Sequence, residues 1–293
     1  MKNEHPRYPI YIPSKGRAES ALTAKLFREH GVSFNLVVEP QEEELYAEYK
    51  EHLVLLPDNN QGLIYSRNFI KDHAVASGAE RHWQFDDDVR KLRRVYRGFR
   101  IPCDPNIAIC VAEDFADRYE NVALCSFNSS FFVPVTDGQG PSQPPFYLNH
   151  RCYTNFLMDN SLPNRWRYRY NEDTDMTLQV LAGGHCTILF NAFLMDTPAT
   201  LTASGGQMAV YKDDGRLKMS RDLERVWPGV VTTSRRFRRP QHAVKHNWAK
   251  FDNKLIRKKD FKVPKGNNEY GMKLTSQGKV TDTKLQKLQK DYN

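Results

Sequence analysis

The sequence predicts an α/β fold, a mostly parallel sheet with helices on both faces, followed by a basic C-terminal extension. Three observations predict it. Short apolar runs alternate with segments of helical period through the first half of the chain, an order that favours parallel strands joined by crossover helices. The 293 residues are 40% apolar and 12% aromatic, enough to bury a sizeable core. The charge is divided: residues 235–293 hold 17 Lys and Arg against 5 Asp and Glu, whereas the first 234 hold 26 against 30.

Residues 8–13 (YPIYIP) read as a short buried strand. A loop at 14–17 (SKGR) leads into a helix over 18–30, where apolar residues keep helical spacing up to a stop at Gly31. A second strand is expected at 34–38, a polar helix at 42–52 and a third strand at 53–57. After a turn-rich stretch at 58–62, a helix spans about 63–75, and Trp83-Gln84-Phe85 opens a fourth strand. Farther on, a helix at 106–119 precedes strands at 122–127 and 130–135. A Pro/Gly/Ser loop covers 136–146, a strand 147–158, a helix 173–183 and an apolar strand 186–195. Past residue 234 the pattern weakens into basic segments with scattered aromatics and a last short helix at 282–292. The organisation expected is one α/β domain over residues 1–234 and an extension over 235–293.

Composition excludes several classes. With 16 Gly, 16 Pro and 27% charged residues, the chain is neither collagenous nor low-complexity. The longest apolar-rich run, 186–195, contains Asn191 and is about half a membrane span. The first residues lack the apolar centre of a signal peptide. The five cysteines (103, 110, 125, 152 and 186) are odd in number and form no CxxC pair, which argues against a disulfide framework or zinc cluster. A reducing cytoplasm and no membrane partner are expected. The basic extension suggests an acidic partner, although a solubilising tail would carry the same charge.

Chemistry concentrates at a few places. Asp86, Asp87 and Asp88 follow the apolar strand ending at Phe85. Successive carboxylates resist burial, and alternation puts Asp86 and Asp88 on one side, where they can share a hard divalent cation with a diphosphate. Strand carboxyl ends of open α/β sheets are where ligands sit. Ser14, Lys15, Gly16 and Arg17 open a helix and could meet an anion, though they do not form a P-loop. Gln61, Gly62, Arg67 and Asn68 offer donors to a diphosphate or base. Asn171-Glu172-Asp173-Thr174-Asp175 begins a helix; these residues can cap it, and one carboxylate can serve as general base. Late in the chain, His246 can complete a metal site, and Lys245 and Trp248 suit phosphate contact and stacking. Arg165, Arg167 and Arg169 alternate with Trp166, Tyr168 and Tyr170, a pattern suited to nucleic acid or to a cross-strand ladder.

Together, the YIPSKGR stretch at 11–17, Gln61-Gly62 with Arg67-Asn68, Phe85-Asp86-Asp87-Asp88, the Glu172-Asp173 helix start and His246 resemble a GT-A glycosyltransferase. More specifically, the set is similar to the enzymes that glycosylate hydroxylated DNA bases, the phage DNA glycosyltransferases and the base J glucosyltransferase. The resemblance covers about residues 8–250 and implies a GT-A-like, Rossmann-type sheet.

It also implies transfer of a sugar, arabinose or glucose, from a UDP-sugar to 5-hydroxymethylcytosine in double-stranded DNA. Hydroxymethyluracil is the second acceptor, and a glycan or lipid is an alternative. Mn2+ or Mg2+ is the implied cofactor, held by Asp88 and His246. Asp86 is expected near the ribose and sugar and Asp87 in the variable place. Pro13, Ser14, Lys15, Arg17, Gln61, Gly62, Arg67, Asn68 and Lys245 complete the donor site. Asp173 is the first choice for the base, with Glu172 beside it and Asp175 competing. Phosphate contacts are expected from Arg165, Arg167, Arg169, Arg235, Arg236, Arg238, Arg239 and Trp248, with Arg257, Lys258 and Lys259 beyond. A nuclease using the same carboxylates is the remaining alternative; it would need a further acidic residue for a two-metal site.

Overall fold

The computed structural model describes residues 5–137, 139, 142–198, 215–236, 239–244 and 251–261. Strands β1 (Ile10–Pro13), β2 (Asn35–Val38), β3 (Leu53–Leu55) and β4 (Arg81–Phe85) lie parallel in the order β3-β2-β1-β4. Beyond β4 the hand of pairing changes. Strand β9 (Asn155–Asp159) runs antiparallel between β4 and β7 (Val122–Ser129). β7 pairs in parallel with β10 (Cys186–Asp196). β5 (Lys91–Tyr96), β6 (Phe99–Pro102) and β8 (Phe146–Leu148) close that end antiparallel, completing a ten-stranded sheet.

The helices divide between the faces, as the alternation of strands and helices predicts. Ala24 and Phe27 of α1 (Leu22–Glu29) and Ala108, Ile109 and Ala112 of α3 (Pro105–Asp117) pack with Ile10, Ile12 and Trp83 in the largest core. Tyr11 and Val37 point the other way, onto Ile70 and Ala74 of α2 (Leu63–Ala76). On that second face, Met176 and Val180 of α4 (Glu172–Ala182) meet Leu124, Phe156 and Met158. Period-two alternation inside nearly all-apolar strands thus supplies two buried faces.

Several expected elements differ. The helix expected at 42–52 is a 3-10 segment, Pro40–His52, interrupted at Tyr46 and Tyr49. Those two tyrosines are its buried residues, and the three-residue spacing that aligns them suits the tighter helix. The strand expected at 130–135 is a short 3-10 turn, Ser130–Phe132, because the Ser129 hydroxyl accepts the Phe131 N–H at 3.2 Å. The strand expected at 147–158 is divided into β8 and β9, with Asn149 and Thr154 at φ 53° and 65° breaking it. The β5–β6 hairpin lies where no strand was expected. Its turn, Arg97-Gly98, has φ 51° and 81°, the left-handed pair of a tight hairpin.

The segment after β10 contributes α5 (Gly215–Val226) and a separate hairpin of β11 (Val231–Arg236) and β12 (Arg239–Val244). Val231 and Leu223 pack on Leu178 of α4, so the hairpin lies against the α/β domain and spans residues 234 and 235. Residues 251–261 run along the amino ends of β7 and β10. There Asn253 donates to the carbonyls of Leu181 and His185 (2.9 and 2.8 Å), and Arg257 bridges to Tyr119. The expected helix at 282–292 lies outside the described residues. All five cysteines are free thiols, and among the described residues no helix is long and apolar enough to cross a membrane.

Candidate active site

The carboxyl ends of β1, β2, β4 and β7, and the start of the antiparallel β9, share one edge of the sheet. Asp86, Asp87 and Asp88 stand there, and each has a different environment. Asp87 is 7% exposed and buried beneath the loop after β1. Ser14 Oγ donates to it at 2.6 Å and Arg17 reaches its other oxygen at 2.5 Å. Asp88 lies 3.6 Å from the same Arg17 nitrogen. Asp86 turns the other way, 2.9 Å from Arg67 Nη2, with its N–H on the carbonyl of the left-handed Thr154. Asp86 and Asp88 therefore flank the strand end, while Asp87 ties it to Ser14 and Arg17.

Arg67 is the hinge of the arrangement. Its guanidinium is 2% exposed and lies 4.8 Å from the Trp166 ring centre and 5.0 Å from that of Phe156. Nη1 donates to Gln84 at 3.3 Å, and Nη2 also approaches Glu172 at 3.9 Å. One arginine thus joins the acidic strand end to the first turn of α4, a link between residues far apart in sequence.

Burial pushes the Asp86 carboxyl up to about 7, assisted by the charges of Asp88 and Asp87 and opposed by Arg67. Burial raises Glu172 to about 7 as well, with Asp173 and Asp86 adding to the rise and Arg67 opposing it. Asp88 is raised by burial and Asp87, against the pull of Arg17. Asp173 differs: burial works against its charge, but an ion pair with Arg151 and the Thr174 N–H hold it below the ordinary carboxylate range. His242 of β12 approaches Thr174 at 3.3 Å and is pushed down to about 4 by burial and Arg151. Neither Arg151 nor His242 stood out in the sequence, since each is a lone residue whose role depends on where α4 begins.

Other expected site residues have structural partners. Asp175 is fully buried and accepts from Arg167 at 2.6 Å, Gln179 at 2.7 Å and Trp227 Nε1 at 2.8 Å. That commits its oxygens to holding α4, the preceding loop and α5 together. Asn68 exchanges two hydrogen bonds with the Trp166 backbone (2.8 and 3.0 Å), which fix the loop before α4 to α2. Arg165 pairs with Asp72. Arg169 stacks over Tyr170 at 5.5 Å, beside an open cleft of about 230 Å3 between residues 167–170 and α5. Tyr168 lines the same cleft.

Lys15 bridges Glu39 and Asn60, both at 2.7 Å. Pro13 ends β1 at this edge, Gly62 opens α2 at φ 84°, and Gln61 donates to the Asn59 carbonyl at 3.3 Å. Arg235 is exposed on β11, the hairpin that borders α4. Arg236 and Arg239 belong to β11 and β12 by backbone, whereas Arg238, Lys245, His246 and Trp248 lie outside the described residues. Arg257, Lys258 and Lys259 are at the opposite edge of the sheet, because that segment is tied to Arg118, Tyr119 and Glu120 at the end of α3. They do not border the acidic strand end.

Among the described residues no three His, Cys, Asp or Glu side chains form a ready-made metal cage. The donor set nevertheless suits a hard cation. Asp86, Asp87, Asp88, Glu172 and Asp173 form ion pairs with Arg17, Arg67 and Arg151, five carboxylates to three guanidiniums and a formal surplus of two negative charges in that cluster. Burial first, and the neighbouring carboxylates after it, raise the Asp86 and Asp88 carboxyls, and a divalent ion would favour their charged forms.

A comparison with curated proteins returned no match. Among solved structures, a mannose-1-phosphate geranyltransferase from Thermus thermophilus is similar over 85% of this chain and 72% of its own, at 15% identity and a TM-score of 0.34. A CMP:2-keto-3-deoxy-manno-octonic acid synthetase in complex with CTP is similar over 62% of this chain and 89% of its own, at 10% identity and a TM-score of 0.37. The family model for the TET-associated glycosyltransferases matches residues 8–206, a span that holds the acidic strand end, Arg67 and the start of α4. The chain belongs to the TET-associated glycosyltransferase family, a family of DNA-modifying glycosyltransferases.

Proposed function

We propose that the protein transfers a sugar, arabinose or glucose, from a UDP-sugar to the hydroxymethyl oxygen of 5-hydroxymethylcytosine in double-stranded DNA. Mn2+ or Mg2+ is the cofactor in this reading. The observation that carries it is the meeting of Asp86 and Glu172 at Arg67. It brings a carboxylate pair suited to a metal-bound diphosphate beside a carboxylate suited to deprotonating an alcohol.

Asp86 and Asp88 would hold the cation, with His246 as a further ligand. An ion held by those residues would supply positive charge to offset the negative charge developing on the departing diphosphate. Lys15, Arg17 and the backbone around Ser14 and Gly62 receive the donor's anionic portion. The bond from the sugar's anomeric carbon to the diphosphate oxygen breaks, and the bond to the acceptor oxygen forms. The acceptor proton passes to Glu172. Of the α4 pair, Glu172 fits the role because its carboxyl lies at about 7, so it can take a proton near neutrality. Asp173 is kept anionic by Arg151 and positions the acceptor.

The test is incubation with Mn2+, a panel of UDP-sugars, and duplex DNA containing 5-hydroxymethylcytosine or 5-hydroxymethyluracil. UDP release and the mass of the digested nucleosides are the readouts. A glycosylated hydroxymethylcytosine is expected. Transfer to glycan or lipid, with none to DNA, would overturn the acceptor.

A further inference from the structure

The stretch immediately after the acidic strand end is the most basic among the described residues. Positions 89–100 (VRKLRRVYRGFR) hold Arg90, Lys91, Arg93, Arg94, Arg97 and Arg100, with no acid. They form the β5–β6 hairpin, which leaves the site directly: Arg90 is close enough to act on the Asp88 charge, and Lys91 pairs in register with Asp196. Arg93 is committed to the Asp196 carboxylate at 2.5 Å. Arg94 and Arg97 instead flank the half-buried Tyr96 ring at 5.2 and 5.5 Å, a cluster of cation and aromatic on the hairpin's outer end.

A second, independent feature adjoins it. Phe131 and Phe132 are 85% and 59% exposed and pack edge to face, ring centres 5.2 Å apart, on the turn after β7. Exposing two adjacent phenylalanines costs solvation and carries no benefit to the core. The turn is braced all the same. Arg100 donates to the Ser130 carbonyl at 2.8 Å, and the Ser129 N–H reaches the Tyr153 hydroxyl at 3.0 Å. The Thr136 N–H meets the Gly98 carbonyl at 3.0 Å, tying the chain beyond the turn to the hairpin tip. On its other side, Phe132 contacts Tyr153 at 6.3 Å, Arg151 lies over Tyr153 at 5.6 Å, and Arg151 pairs with Asp173. A rigid aromatic pair therefore stands between a basic hairpin and the carboxylates of α4.

We propose that the β5–β6 hairpin and the Phe131–Phe132 turn form the DNA-docking surface nearest the reaction centre, with Arg94 and Arg97 on backbone phosphates and the phenylalanines stacked on bases flanking the acceptor nucleotide. This rests on DNA being the acceptor. Cations on the backbone phosphates and apolar rings wedged between base steps are the two components by which proteins grip and locally unstack a duplex without reading its sequence. The bracing holds the rings ready, so little ordering accompanies binding.

The experiment uses the full chain, a fluorescent duplex bearing one 5-hydroxymethylcytosine, and a 2-aminopurine beside it. Wild-type binding should raise the 2-aminopurine emission as the rings unstack the step beside it, and F131A/F132A should weaken binding roughly 5- to 100-fold at an unchanged salt slope and abolish that rise. R94A/R97A should reduce the salt slope by about 2. Both doubles should bind UDP as the wild type does, which shows that they fold. Doubles that fold and bind DNA with wild-type affinity and slope would overturn the docking surface alone. A wild-type protein that binds no DNA would overturn the acceptor reading with it, and R94A/R97A-sensitive binding to anionic vesicles in its place would assign the surface to a membrane.

Discussion

The guanidinium of Arg67 stands 2.9 Å from the carboxylate of Asp86, and the same nitrogen is 3.9 Å from Glu172. The arginine is almost wholly enclosed by Phe156, Trp166 and Gln84. It therefore cannot follow either carboxylate if the other moves, and it sets the spacing between the two halves of the site.

Replacing Arg67 by Ala leaves the Asp86 and Glu172 carboxyls without their shared cation. Breaking a buried pair is costly, and here the loss should be about 3 kcal/mol in urea unfolding, the low end of the range because Asp86 opens to the cleft. Sugar transfer should be abolished. R67K should recover part of the stability but little activity, since an ammonium cannot bridge both carboxylates from that pocket. Full activity in R67K would sink the bridging role.

The raised carboxyls make a pH signature. Asp86 and Glu172 titrate near 7 in the folded chain against ordinary values of 3.8 and 4.5. Between those limits these two groups bind more protons in the folded state than in the unfolded, so their contribution to stability falls as pH rises from about 4 to about 7. It falls against a rising contribution from His82 and His242, which burial holds down to about 4. With chelator present, the Tm of D86N relative to the wild type should therefore rise across that window, because the variant lacks the carboxyl that loses its proton there. Mn2+ should restore stability at the upper end. Asp173, lowered by Arg151, acts below this window, where acid removes its contribution. A chelated D86N whose Tm stays parallel to that of the wild type from pH 5 to 7 would contradict the assignment.

The α4 carboxylates separate by kinetics. E172Q should lower kcat by about 10²–10⁴-fold with UDP affinity retained. It should also remove the acid limb of the kcat/KM profile. D173N should raise the acceptor KM and keep that limb. If D173N abolishes the limb and E172Q keeps it, the base is Asp173.

Asp175 gives the contrasting outcome. D175N weakens bonds to Arg167 and Trp227 in a fully buried position, so chemical unfolding should register a loss of about 1–3 kcal/mol. With the protein folded, kcat should stay within a few-fold of the wild type. A loss of kcat as large as that of E172Q would return Asp175 to the chemistry.

How much was legible follows from the range of the forces involved. The acidic run Asp86-Asp87-Asp88 is conspicuous because consecutive carboxylates after an apolar strand have no local structural purpose. The β-α order of the first 85 residues follows from local periodicity. The β5–β6 hairpin escaped notice because its cations occupy strand positions where apolar residues are expected, and only Arg97-Gly98 marked the turn. Net charge makes Arg257, Lys258 and Lys259 candidates for phosphate contact, yet they are held at the edge away from the site by backbone bonds to Arg118 and Glu120.

By itself, the sequence determined the α/β class, the acidic strand end and the family likeness, since propensity, periodicity and runs of charge act over a few residues. Tertiary structure decided which charges meet. Arg67 is 105 residues from Glu172, and Arg151 reaches Asp173 only because β9 runs antiparallel between β4 and β7. Whether a carboxylate is a proton acceptor near neutrality, as Glu172 is, or a buried brace, as Asp175 is, depends on desolvation and partners. Those arise only when distant segments are packed together.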